Sequence, residues 1–153
     1  EEIVARLPPN AARAQLLGGL PVAADKRGRY RLAWDRLLAM VKALYDAKVT
    51  LVIGTDDLGG VMLHHELALF ARAGVPNAAI LRMATTEAAR SVGLQRQVGS
   101  IAKGLRADLV VVDGDPLTRI EDASRVVTVV RGDVMFDAAA VSRSTNVAPV
   151  VGR

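Results

Sequence analysis

Cysteine is absent from this chain, which excludes disulfides and thiolate metal sites while leaving the cellular compartment open. Histidine is nearly absent too: the 153 residues hold only His64 and His65. Without Cys, two imidazoles cannot close a four-ligand structural zinc site. Aromatic residues make up 3% of the chain against 51% hydrophobic. The core must therefore be built from Ala, Val, Leu and Ile, as is common where helices pack on parallel strands. No apolar run approaches the roughly 18 residues needed to span a bilayer. The opening EEIVARLPPN has neither a Met nor a signal-peptide pattern and reads as an entry in mid-sequence. The formal charge of +4 comes from Lys and Arg scattered among acids, with no run of like charges. That is the pattern of a solvated surface, and no nucleic-acid or membrane partner is expected from it.

The periodicity of the chain is helical first and β-rich later. After a short helix expected around Ala11 to Leu17, Trp34, Leu37, Leu38, Val41, Leu44 and Tyr45 recur at helical spacing. They predict a helix over 33–46 whose apolar face covers a strand at Val49 to Ile53, a short run rich in β-branched residues. A helix from Val61 to Ala73 should stop at Gly74. Pro76 should open the next helix, through Met83. Thr85 or Thr86 should cap a short helix ended by Gly93. Beyond it, Leu109 to Val112, Val126 to Arg131 and Val134 to Phe136 read as strands separated by Gly114-Asp115-Pro116 and Gly132-Asp133 turns. Asp108 is expected to tether a loop, and the tail from Ala138 to fray.

One stretch raises a chemical question. Leu51 to Gly60 reads LVIGTDDLGG, so that Asp56 and Asp57 follow directly on the expected strand. Ligand sites of α/β folds lie at the carboxyl ends of parallel strands. A carboxylate there can ligate a metal or take a proton from an activated water. Equally, Asp57 before Leu-Gly-Gly can do no more than cap a turn. His64 and His65 are adjacent in a helix and point about 100° apart, so they cannot share one metal. His65 is expected at the surface, and His64 could face either way.

In order and spacing, five segments together resemble the C-terminal part of the amidohydrolase superfamily, in its imidazolonepropionase-like and Xaa-Pro-dipeptidase-like branch. LVIGTDD resembles its eighth barrel strand and GTD motif, and LHHELALFARAGV the helix behind it. AAILRMATTEAARSVGL is similar to the following helix pair. VGSIAKGLRADLVVVDGDPL resembles the return into a small β-sandwich, and VVTVVRGDVMF its closing hairpin. The family's usual Lys after the Gly of its GKxADLV pattern is replaced here by Leu105.

The resemblance implies an α/β chain. Residues 1–95 would be the C-terminal part of a TIM-type (β/α)8 barrel, 96–137 strands of a composite β-sandwich, and 138–153 a tail. It implies that Asp56 binds the catalytic metal, a divalent ion of the zinc kind, one or two per enzyme, and shuttles the proton. It also implies that Asp57 and His64 lie on the substrate side. The family's first-strand HxH, its bridging Lys or carboxylate and its middle-strand His ligands have no counterpart in this sequence. A complementary chain or segment carrying them is expected, in an oligomeric assembly acting on a small or peptide-like substrate. Two rivals stand beside this expectation. A catalytically inactive family member could serve as a binding or assembly module. An unrelated Mg²⁺-dependent phosphate site would need a GxxxxGK[ST] loop, which the sequence lacks.

Overall fold

A computed structural model describes residues 22–55 and 61–145. A 3₁₀ turn at Ala24–Lys26 leads into α1 (Arg27–Asp46). Three shorter helices follow: α2 (Val61–Arg72), α3 (Asn77–Ala84) and α4 (Thr86–Ser91). Next come β1 (Asp108–Val112), a 3₁₀ turn at Ile120–Ser124, β2 (Val126–Arg131), β3 (Val134–Asp137) and α5 (Ala138–Thr145).

Three helices end in the same way, and the sequence announces two of them. At the end of α2, Gly74 takes φ 88°, its N–H donates to Ala71 O, and the Val75 N–H donates to Phe70 O. This is a Schellman motif, in which the left-handed residue lets the chain reverse and the next residue packs inward. Val75 accordingly is buried. Gly93 repeats the arrangement after α4, with φ 74°. At the end of α1 the same two hydrogen bonds form, but the left-handed residue is Lys48, at φ 61°. The α3 start has Pro76 at its cap position in extended conformation. Neither Thr85 nor Thr86 caps α4 with its side chain. The Thr85 hydroxyl donates back to Leu81 O at 2.6 Å, and that of Thr86 to Gly99 O at 2.9 Å.

The core lies among Ile53, Leu67, Val75, Ala79, Ile80, Met83 and Ile120, with Ile80 fully buried. Leu63, Phe70, Val41 and Tyr45 close it from the sides. The segment 49–53 differs from expectation. Ile53 is buried and Leu51 packs against the core, yet no strand ladder forms there among the described residues. A strand exists only where a neighbour completes its hydrogen bonds, and none of the described strands pairs with this segment. The expected packing of α1 holds only for its C-terminal half. Val41 and Tyr45 touch the core, whereas Trp34 and Leu37 remain exposed. The sheet seen is antiparallel, three-stranded and ordered β1-β2-β3, and no barrel is evident. A bulge between Val111 and Val112 skips Val127 in the register. The two-residue turn Gly132-Asp133 joins β2 to β3, with Gly132 at φ 65° as a type II′ turn requires.

Residues 138–145 are not frayed. Asp137 Oδ1 accepts the Ala140 N–H at 2.6 Å, so α5 starts on a side-chain cap and packs against β2 and β3. Two links join sheet to helices. Ile120 inserts into the helical core, and the Asn77 amide donates to Leu117 O and Thr118 O at 3.1 and 3.2 Å.

Candidate functional site

Segment 49–55 and helix α2 precede and follow, in sequence, the residues 56–60 that the sequence singles out. Ile53 anchors one end in the core, and Leu63 and Leu67 of α2 anchor the other. Asp56 and Asp57, with Leu58 to Gly60, lie outside the described residues. His64 stands in the first turns of α2, half-buried, with its Nδ1 shielded from solvent. It shares the helix side of Leu67 and Ala68, which face the core. His65 is half-buried rather than exposed, because α2 is covered on more than one side. The two imidazoles diverge as adjacent helical residues must. Among the described residues, no three His, Asp or Glu side chains converge on a space that could hold a metal ion. None of the described helices is long and apolar enough to cross a membrane.

The best-developed polar constellation is one that the sequence reading passed over. Asp122 is a carboxylate with 7% exposure. It accepts the Asp115 N–H at 3.0 Å and the Arg119 Nε–H at 2.8 Å, with a second contact to the Arg119 terminal nitrogen. Arg125 stands 3.7 Å away and pairs with Asp113 at 2.6 Å. The Arg119 hydrogen bonds, and then the Asp115 amide, hold the Asp122 carboxyl below the usual carboxylate range, against the effect of burial. Asp115 is lowered too, by the Thr118 hydroxyl and the Leu117 N–H. The carboxylates of Asp113, Asp115 and Asp122 are taken up by partners within this segment. They fold the Gly114-Asp115-Pro116 turn into a clamp rather than a reactive site. The signal was present as acids at 113, 115 and 122 interleaved with Arg119 and Arg125. Asp108 tethers loops as expected. It pairs with Arg106 at 2.5 Å and accepts the Gly132 N–H at 3.3 Å, and the Arg106 hydrogen bond lowers its pKa.

The fold and the LVIGTDD motif place the chain in a class before any relative is considered: a mixed α/β chain with two adjacent carboxylates in sequence between a core-anchored segment and a helix. The family model of the amidohydrolase family matches residues 33–135. The chain belongs to that family. A 5-methylthioadenosine/S-adenosylhomocysteine deaminase from Syntrophobacter fumaroxidans is 33% identical over 113 residues, covering 65% of this chain and 25% of the relative. A second such deaminase, from Moorella thermoacetica, is 35% identical over 88 residues, covering 50% of this chain and 21% of its own. Among solved structures, a prolidase complexed with N-methylphosphonate-L-proline is 34% identical with a TM-score of 0.59, covering 65% of this chain and 26% of its own. A Xaa-Pro dipeptidase with bound methionine, 24% identical with a TM-score of 0.62, shares the fold over 66% of this chain and 25% of its own. The chain thus spans about a quarter of the length of these relatives. A metal is typical of the family, but the described residues alone do not supply a donor set for one.

Proposed function

We propose that this chain is the C-terminal part of a metal-dependent hydrolase that cleaves an amide or related C–N bond with activated water. Asp56 is its proton-transferring carboxylate and one of its metal ligands. The observation that carries the reading is the family match over residues 33–135, a range that includes LVIGTDD together with α2 and the small sheet. In this reading α1, the segment 49–53 and α2 are the last units of a (β/α)8 barrel. Asp56 then emerges where such barrels keep their reactive groups, at a strand's carboxyl end. Asp56, with ligands outside this sequence, would hold a divalent ion, zinc or a similar metal, whose charge would acidify a water and polarise the scissile carbonyl. Asp56 accepts the proton of the attacking water and delivers it to the leaving nitrogen. Asp57 and His64 contact the substrate from the α2 side. The deaminase and prolidase relatives, both of which act at C–N bonds, favour this reaction class.

The remaining barrel strands and histidine ligands come from a complementary chain or segment. In the intact enzyme, Asp56→Asn is expected to leave the melting temperature in place and to lower kcat by about 10² or more. Positioned proton transfer contributes about 10²–10⁴. Asp57→Asn is expected to cost far less. Equal losses for the two, or a larger one for Asp57, would refute the assignment.

A further inference from the structure

α1 carries one apolar seam along its full length but uses only half of it. At about 100° per residue, Tyr30, Trp34, Leu37, Val41 and Tyr45 fall on one stripe. Val41 and Tyr45 rest on the core, and Tyr30, Trp34 and Leu37 stand 49%, 37% and 51% exposed. The exposed half is continuous with an interface that already exists. It is also ringed by positive charge. Arg27 and Arg31 share the stripe's flank by the same angular count, Lys26 lies at its start, and the Arg72 guanidinium sits 6.0 Å above the Trp34 ring. Among the described residues, Lys26, Arg27 and Arg31 form no ion pair. Lys26 at the cap position and Arg27 in the first turn, which holds no acid, stand at the start of α1, and Arg31 follows in the second turn. A helix start carries partial positive charge, so cations there destabilise the helix unless an anion answers them.

We infer that the N-terminal half of α1 is a docking ridge for an acidic polypeptide segment. That segment belongs to the part of the enzyme beyond this chain and presents carboxylates around an apolar centre. The inference rests on the complementary segment proposed above. About three quarters of each relative's length has no counterpart here, which leaves ample chain to cover the ridge. A second copy fits less well, since it would bring the same cations to the same face.

The test uses the intact protein produced from its own gene. Arg27→Lys and Arg31→Lys together keep both charges and add amines. Carbodiimide then joins amines to carboxylates in direct contact, and mass spectrometry locates the cross-links. Links to Asp or Glu outside residues 1–153 of the same molecule are expected. Links only within these residues, none at all, or links between isotopically distinguished copies would overturn the inference.

The double reversal Arg27→Glu, Arg31→Glu has an opposite sign under the two readings. The acid introduced at position 27, in a solvated first turn, favours the helix, so the melting temperature should rise if the ridge is open. It should fall, by about 2 °C or more, if the ridge meets carboxylates. Salt-sensitive sedimentation of the intact protein with phosphatidylserine vesicles, abolished by the reversal, would assign the ridge to a membrane and also overturn the inference. These readouts do not use activity. A dead enzyme with the expected cross-links would sink the proposed reaction alone, and an active one without them would sink the ridge alone.

Discussion

A carboxylate with 7% exposure stays charged only where donors surround it, and Asp122 has the Asp115 amide, Arg119 and Arg125 around it. Its lowered pKa fixes the direction of a pH effect. A carboxyl whose folded pKa lies below its unfolded value, about 3.9, stabilises the fold fully above that value. The contribution is lost as pH falls through the folded pKa. Asp108 and Asp115 are lowered as well and act with the same sign. In the intact protein, thermal stability of the 108–137 sheet is expected to fall below about pH 4. Asp122→Asn should lower the melting temperature at pH 7 and flatten that acid limb. An unchanged acid limb in the variant would remove Asp122 from its origin. Gly114 belongs to the same clamp. It sits at φ 153°, and a Cβ there would lie 2.6 Å from Asp122 Oδ2. Gly114→Ala should therefore cost about 1–3 kcal/mol in backbone strain, measured by denaturant unfolding, before any loss of the carboxylate's contacts.

At the scale of the element, helix ends show what sequence can carry. Gly74 and Gly93 are legible stops because glycine reaches the left-handed region without a Cβ penalty. Lys48 adopts the same conformation in the same motif and gave no sign of it, since lysine at a helix end reads equally as a favourable charge. Lys48→Gly is therefore expected to stabilise the protein by about 0.5–1 kcal/mol, seen as a raised denaturation midpoint. A lowered midpoint would mean that the Lys48 ammonium, 5.4 Å from the Tyr45 ring, outweighs the strain. The start of α5 was legible in principle, in Asp137 before three alanines, but the small polar composition behind it points to a tail. The helices α1 to α4 and the three strands of the sheet followed from period and turn residues. The ladder of 49–53 did not, because a strand's partner is a property of other segments and not of its own side chains. The candidate site was legible for a different reason. Asp56 stands out only through the order of motifs around it, and no spacing within LVIGTDD separates a proton shuttle from a turn cap.

At the scale of the whole molecule, the apolar surface left open decides how this chain behaves by itself. Val49 and Val52 beside the core, Tyr30, Trp34 and Leu37 on α1, and Val110, Val111, Val134, Met135 and Phe136 on the sheet are all exposed. Each large apolar side chain left in water forgoes roughly 1.5–3 kcal/mol of burial. A handful of them matches the entire stability of a domain, about 5–15 kcal/mol. The segment 49–53 adds backbone without a strand partner to this, since among the described residues it joins no ladder. The core that remains is small: among the described residues, Ile80 alone has a fully buried side chain. Produced alone, the 153 residues are therefore expected to aggregate or to form a loosely packed state that binds a hydrophobic dye and melts without a sharp calorimetric transition. Zinc should bind it no more tightly than one carboxylate and two diverging imidazoles allow. Supplied with the complementary polypeptide, the same chain should become monodisperse by light scattering and acquire a cooperative transition. A monodisperse, cooperatively melting monomer without any partner would refute the composite enzyme and favour a free-standing module, because it would show that the exposed stripe and sheet faces cost the chain nothing it needs.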